Sequence, residues 1–214
     1  MTIVGLASTG IACTSDDETA EPAAPQITDA ADDPELSQSL ISLEEVESAP
    51  GAPEGLVEQP VQDSALYENP DPRGPCGAQV IQPAFKDAAI AAFGTTQPPQ
   101  ATLVNAVWDL PAREAAAFLA ATKEDIKPNC PPFVSRTPFG QQRVEFLGEI
   151  PLIDLADDAV ATRSRIILKD QPTLYAGAAL VRADTRLSIV IVFSEDPVRA
   201  QFIQVVANLA AAKL

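Results

Sequence analysis

The sequence predicts an α+β domain in which an antiparallel β-sheet is flanked by helices. Two β-rich runs separated by a short polar turn, residues 173–182 and 186–193, indicate a hairpin. Segments with helical apolar spacing are interspersed among meandering strands, which is the order typical of this class. Behind the acidic amino-terminal stretch, roughly 140 to 180 residues remain, enough for one domain with a hydrophobic core.

The first half of this domain is expected to contain two helices before its first long strand. Leucines at positions i, i+4 and i+7 predict an amphipathic helix over residues 35–47, and a Pro- and Gly-rich stretch follows with a short strand near 55–58. Apolar residues at helical spacing predict a helix over residues 84–93, which Gly94 ends as a C-cap. The β-rich run 102–108 predicts the next strand.

The second half is expected to contain a helix, four strands and a final helix. Pro111 opens the helix, where its missing N–H is no loss, and Pro128 stops it. The predicted strands span residues 142–150, 159–168, 173–182 and 186–193. Ser194 is expected to cap the last helix, because Glu195 and Asp196 favour the positive end of a helix dipole.

Two of these strands carry further information. Arg163 and Arg165 alternate along residues 159–168 and indicate a solvent-facing side of that strand. The run Ile189–Val192 is apolar throughout, which predicts a central strand that is covered on both faces.

Charge is distributed unevenly along the chain and excludes several kinds of function. The net charge of −16 arises in residues 1–72, which contain sixteen acidic residues and no lysine or arginine. This pattern argues against nucleic acid and anionic lipid surfaces as partners, because both need clustered lysine and arginine. The absence of histidine excludes Ser-His-Asp and Cys-His catalysis and histidine metal sites, and no cofactor is expected.

The amino terminus looks like the end of a bacterial lipoprotein signal. Residues 1–13 are small or apolar up to Ala12 and end at Cys13, which we expect to carry the lipid. Residues 14–34 are acidic and rich in proline and alanine, so they are expected to form a disordered tether. The alternative is an untargeted amino terminus that only solubilises the domain at residues 35–214.

The two remaining cysteines are expected to form a disulfide. Cys76 and Cys130 lie inside the globular part, each beside prolines. A lipidated cysteine together with one disulfide places the protein outside the cytoplasm, on the outer face of the cell membrane or secreted. The alternative is a pair of free buried thiols.

The arrangement resembles the extracellular sensor domains of the PknH-like family, found in a mycobacterial receptor kinase and in actinobacterial lipoproteins. The matching features are the leading helix Leu40–Val46, the segment Asp71–Gly77 before a helix, and a second helix that ends at Cys130. The resemblance implies an antiparallel sheet flanked by helices with a ligand-binding cleft, and Cys76 and Cys130 match cysteines of the family pattern. It implies no particular ligand.

Candidate ligand-binding residues are few. Trp108 and Tyr175 are scarce aromatic residues on predicted strands, each with an apolar face and a polar tip. Arg113, near the start of its helix, could reach a carboxylate or phosphate of a ligand. The alternative for the aromatic residues is a place in the core, and for Arg113 a solvated surface position.

These observations predict a monomeric, membrane-anchored sensor-like lipoprotein that binds an envelope-associated small molecule, lipid or cell-wall component without catalysis. One alternative is a cell-envelope hydrolase that uses carboxylates alone, drawn from Asp154, Asp157 and Asp158 or from Glu195 and Asp196. A second alternative is a structural partner of a neighbouring membrane protein. No calcium loop, phosphate-binding glycine loop or dinucleotide fingerprint is present in the sequence.

Overall fold

The computed structural model describes residues 34–61, 73–80, 88–137, 140–153, 155, 158–169 and 171–214. These residues form four helices and eight strands. The helices are α1 (Pro34–Gln38), α2 (Leu43–Glu47), α3 (Ala112–Asp125) and α4 (Ala200–Lys213). The strands are β1 (Leu56–Gln59), β2 (Ala89–Thr95), β3 (Ala101–Asp109), β4 (Phe133–Thr137), β5 (Gly140–Ile150), β6 (Ala159–Leu168), β7 (Leu174–Ala183) and β8 (Arg186–Ser194).

The eight strands build one antiparallel sheet in the order β1-β2-β3-β8-β7-β6-β5-β4. Strands β4 to β8 form a meander of neighbouring hairpins, and β8 then pairs with β3 along nine residues from each strand. Because β3 pairs with β8 inside the sheet, the amino-terminal and carboxyl-terminal halves of the domain share one sheet. The α+β class with an antiparallel sheet is therefore confirmed.

One sheet face, here called the α4 face, is covered by α4 and α2. Helix α4 supplies five buried residues to the larger apolar cluster: Phe202, Ile203, Val206, Ala207 and Ala210. Gly177 on β7 permits this close packing, because a Cβ there would lie 2.5 Å from Cδ1 of Ile203. The carboxyl end of α4 is tied to α2 by an ion pair of 3.0 Å between Lys213 Nζ and Glu45 Oε2.

The opposite face, here called the α3 face, packs against α3. Ala115 and Leu119 of that helix join an apolar cluster that includes Trp108 and Leu187. The sheet is thus buried on both faces, as the apolar run in β8 predicted. Val190 and Val192 of β8 lie in the cluster on the α4 face, whereas Leu187 lies in the cluster on the α3 face.

A buried asparagine joins the amino-terminal segment to the sheet. Asn105 on β3 is fully buried, and its Oδ1 accepts a hydrogen bond of 2.9 Å from the N–H of Ile41. Its Nδ2 donates to Ser188 Oγ at 2.8 Å and to the carbonyl oxygen of Ile189 at 3.3 Å. All of the polar atoms of this buried side chain therefore have partners, as burial of an amide requires.

The structure corrects the expected helix over residues 84–93. Residues 89–95 form strand β2, which pairs with β1 and β3, while residues 84–87 lie outside the described residues. Gly94 therefore sits inside a strand and ends no helix. Alanine has a high intrinsic helix propensity, but pairing on both edges of β2 and burial of Phe93 outweigh it here.

Two other helix predictions are wrong in detail. The amphipathic segment 35–47 contains two short helices, because Ser42 caps α2 with a capping box and its backbone is extended. Ser194 does not cap the last helix: it pairs with Ala101 and Tyr175 as the final residue of β8. Helix α4 begins at Ala200 instead, with Arg199 as its N-cap residue.

The remaining element predictions are confirmed. The structure also contains one strand, β4, that was not predicted from the sequence. The strands expected near 55–58 and over 102–108, 142–150, 159–168, 173–182 and 186–193 are present, and so is the helix between Pro111 and Pro128. Strand β4 directly follows Pro131 and Pro132, and prolines are more typical of loops than of strands. The signal and tether were predicted over residues 1–34; residues 1–33 lie outside the described residues, and Pro34 is the first residue of α1. Of the described helices, none is both long enough and apolar enough to cross a bilayer.

Candidate functional site

The candidate ligand site is a pocket of about 1070 Å³ at one end of the α4 face. Three connections surround it: residues 51–55 between α2 and β1, residues 95–99 between β2 and β3, and residues 196–199 between β8 and α4. Its floor is formed by Ala101 of β3 and by Val192 and Ser194 of β8. Connections held on a rigid sheet are where binding sites commonly lie.

The pocket wall is mainly polar and carries charge of both signs. Arg199 faces the 51–55 connection closely, since a Cβ on Gly51 would lie 3.2 Å from its Cδ. Glu54 and Asp196 are two acidic residues of the lining, and both are exposed. Such a wall offers hydrogen-bond donors and acceptors to a hydrophilic molecule, while its only aromatic residue, Phe202, is almost fully buried.

Hydrogen bonds fix the connections that form the pocket. The N–H of Glu195 donates to the carbonyl oxygen of Gln100 at 3.0 Å, and the N–H of Gln100 donates to Glu195 Oε2 at 3.1 Å. The hydroxyl of Thr95 accepts from the N–H of Ala101 at 2.9 Å. The Glu195 carboxylate is therefore engaged in holding the connection between β2 and β3.

The structure does not bring the sequence-predicted ligand residues together. Trp108 is only 3% exposed and packs in the cluster beneath α3, so its ring belongs to the core. Arg113 is exposed on the first turn of α3. Tyr175 is half-buried on β7, next to Ser194 and Arg165 across the sheet. None of these three residues lines the pocket.

The predicted disulfide is present and fastens the segment before β2 to the end of α3. Cys76 and Cys130 are bonded, with their Cα atoms 5.0 Å apart and a separation of 54 positions in sequence. Asp125, buried at the end of α3, strengthens this junction. Its Oδ2 accepts from the N–H of Cys76 at 2.7 Å, and its Oδ1 accepts from the N–H of Ala78 at 3.3 Å.

A row of charged side chains lies on the α4 face of strands β5 and β6. Glu145 on β5 accepts hydrogen bonds from Arg165 on β6, one of them 3.0 Å from Nε, and lies 3.1 Å from Arg143 Nε. The hydrogen bond from Arg165 lowers the pKa of Glu145, and the same contact raises the pKa of Arg165. The alternation of Arg163 and Arg165 in the sequence indicated a solvent-facing side of β6. It did not reveal which residues of β5 and β7 lie beside these two arginines.

The carboxylates considered for hydrolysis do not gather at one place in the described part of the chain. Asp158 pairs with Arg182, and Glu195 is engaged with Gln100 as described above. Asp154 and Asp157 lie outside the described residues. In that same part, no group of three or more Cys, Asp or Glu residues is arranged to hold a metal ion.

Comparison with known proteins supports the fold. No protein-family model and no curated protein matches this chain. Among solved structures, the chain is similar to the crystal structure of the extracellular domain of PknH from Mycobacterium tuberculosis, with a TM-score of 0.59 and 14% sequence identity. The match covers 83% of this chain and 93% of that one. The domain therefore has a PknH-like fold.

Proposed function

We propose that this protein is an extracytoplasmic, lipid-anchored sensor-type domain that binds a small hydrophilic molecule of the cell envelope and catalyses no reaction. The observation that carries the proposal is the similarity in fold to an extracellular domain, which extends over 93% of that domain's length. The disulfide between Cys76 and Cys130 supports the same placement, because such bonds persist in oxidising compartments.

The pocket is the proposed ligand site. A volume of about 1070 Å³ suits a small molecule, and ligand sites of about this size are common in proteins. The charged and hydroxyl-bearing wall favours a hydrophilic ligand over an acyl chain, since burying these groups against hydrocarbon would cost their hydrogen bonds to water. We favour binding over hydrolysis because Glu54 and Asp196 are exposed, whereas acid–base pairs depend on environments that separate two pKa values.

Native mass spectrometry of the full chain purified from its own host tests the binding proposal. We expect a discrete added mass that is retained under gentle ionisation. The added mass should be lost or strongly reduced in Arg199→Gln, which removes the cation of the pocket. Arg113→Gln, an exposed arginine outside the pocket, serves as the matched control and should retain it. Protein without added mass, or equal retention by both variants, would contradict the proposal.

The anchor is tested separately at Cys13. We expect the mature protein to carry acyl chains on that residue and to fractionate with membranes, whereas Cys13→Ser should remain unacylated and fractionate with soluble protein. Recovery of an unacylated protein from the cytosol would refute the proposed location without bearing on the pocket.

A further inference from the structure

Arg163 occupies an unusual position beside the charged row on the α4 face. On β6 it lies between Gly148 of β5 and Gly177 of β7, so neither cross-strand neighbour has a side chain. Its Nε is buried and has no hydrogen-bond partner. Arg163 also makes no ion pair with any residue that the structure describes. Leaving a buried charged donor unsatisfied is costly, and such groups in native proteins call for an explanation.

The strand next to Arg163 leaves room for a ligand. The register between β5 and β6 shifts between Phe146 and Gly148, which marks a β-bulge. Gly148 has a φ of +134°, a conformation that favours glycine, and a Cβ built there would meet no atom within 4 Å. Bulges often occur next to functional sites, and a glycine within a strand often marks close approach by a ligand. Open space therefore lies at Gly148, the cross-strand neighbour of Arg163 on β5.

The local charge matches a phosphate group. Arg143, Arg163 and Arg165 lie in consecutive rows on the α4 face of β5 and β6, and Glu145 is the one carboxylate between them. The cluster thus carries a formal charge of +2, whereas residues 73–214 taken together have a formal charge of zero. A phosphate monoester carries about −1.5 to −2 at neutral pH, and guanidinium groups bind its oxygens in a bidentate manner.

We propose that Arg163, with Arg165 beside it and the open edge at Gly148, forms an anion site that binds a phosphate group. Glu145 positions Arg165 by its hydrogen bonds and leaves Arg163 for the ligand. The site is separate from the pocket, because none of Arg163, Arg165 and Gly148 lines the pocket. It is therefore independent of the function proposed above. The phosphate belongs either to a soluble monoester or to a lipid headgroup.

The test is a titration of the ¹⁵N-labelled full chain with inorganic phosphate at constant ionic strength, followed by NMR. We expect saturable shifts of the amide resonances of Gly148 and Gly177. Arg163→Gln should weaken the apparent affinity by about tenfold or more, the size expected when a charge-assisted hydrogen bond is lost. Arg113→Gln is the matched control and should bind phosphate as the unaltered protein does.

A second variant keeps the test valid if Arg163→Gln does not fold: Arg165→Gln should also weaken phosphate binding. Sedimentation with vesicles of phosphatidic acid, compared with vesicles of phosphatidylcholine, assigns the phosphate to a lipid if only the former bind, and to a soluble ligand if neither binds. Shifts that grow linearly, that chloride reproduces, or that persist unchanged in the arginine variants of the site would overturn the proposal.

Discussion

Asn105 is expected to be the polar residue on which the amino-terminal segment most depends. Replacing it with alanine removes three hydrogen bonds and leaves the N–H of Ile41 buried without a partner. An unsatisfied buried donor costs about 1–3 kcal/mol and each further lost bond about 1 kcal/mol, so Asn105→Ala should reduce the free energy of unfolding by about 3–5 kcal/mol. Because Ile41 directly precedes α2, the same change should loosen the connection at residues 51–55 of the pocket.

The assay is equilibrium unfolding in urea at pH 7, with amide hydrogen exchange as a local measurement. Ser188→Ala is the control, because it removes one of the three bonds and leaves Asn105 with its other two, and it should cost about 1–3 kcal/mol, less than Asn105→Ala. Exchange of the Ile41 amide should accelerate in Asn105→Ala but not in Ser188→Ala. A loss below about 1 kcal/mol for Asn105→Ala, or equal losses for the two variants, would refute this reasoning.

Two further predictions concern the disulfide and pH. Replacing Cys76 and Cys130 with serine should lower the free energy of unfolding by about 4 kcal/mol, the chain-entropy value for a loop of this length. Two reactive thiols in unreduced, denatured protein would contradict the bond itself. Burial raises the pKa of Glu45, but hydrogen bonds from Ser42 and Lys213 outweigh burial and the net pKa is lowered. Glu45→Gln should therefore cost about 0.5–1 kcal/mol at pH 7 in urea unfolding, and the difference should disappear as pH falls below about 4. An equal difference at pH 3 and pH 7 would contradict this.

The strands were predictable where their residues alternate or where turn residues bound them. The hairpin of β7 and β8 follows from two β-rich runs around Asp184, whose positive φ of 49° fits a tight turn. Strand β2 was not predictable in the same way. Its alanines fit helical spacing equally well, and only pairing with β1 and β3, which are distant in sequence, decides between the two structures.

The candidate site was less predictable than the fold. The pocket is built from three connections that the sequence reveals only as Pro- and Gly-rich turns, and their meeting depends on the pairing of β3 with β8. Trp108 was a candidate because it is the single tryptophan, yet its position on the α3 face makes it a core residue. The alternation of Arg163 and Arg165 did indicate an accessible side, but the glycines on either side of Arg163 become its neighbours only through register.

The position of α4 has a consequence for how the chain folds during synthesis. This helix follows all eight strands in sequence and supplies five buried side chains to the larger apolar cluster. Until α4 has been synthesised, only the segment around α2 covers this face of the sheet, and the buried residues of β3 and β8 on this face lack their packing partners on α4. We therefore expect the complete sheet to become stable only after α4 has been synthesised and has packed against it.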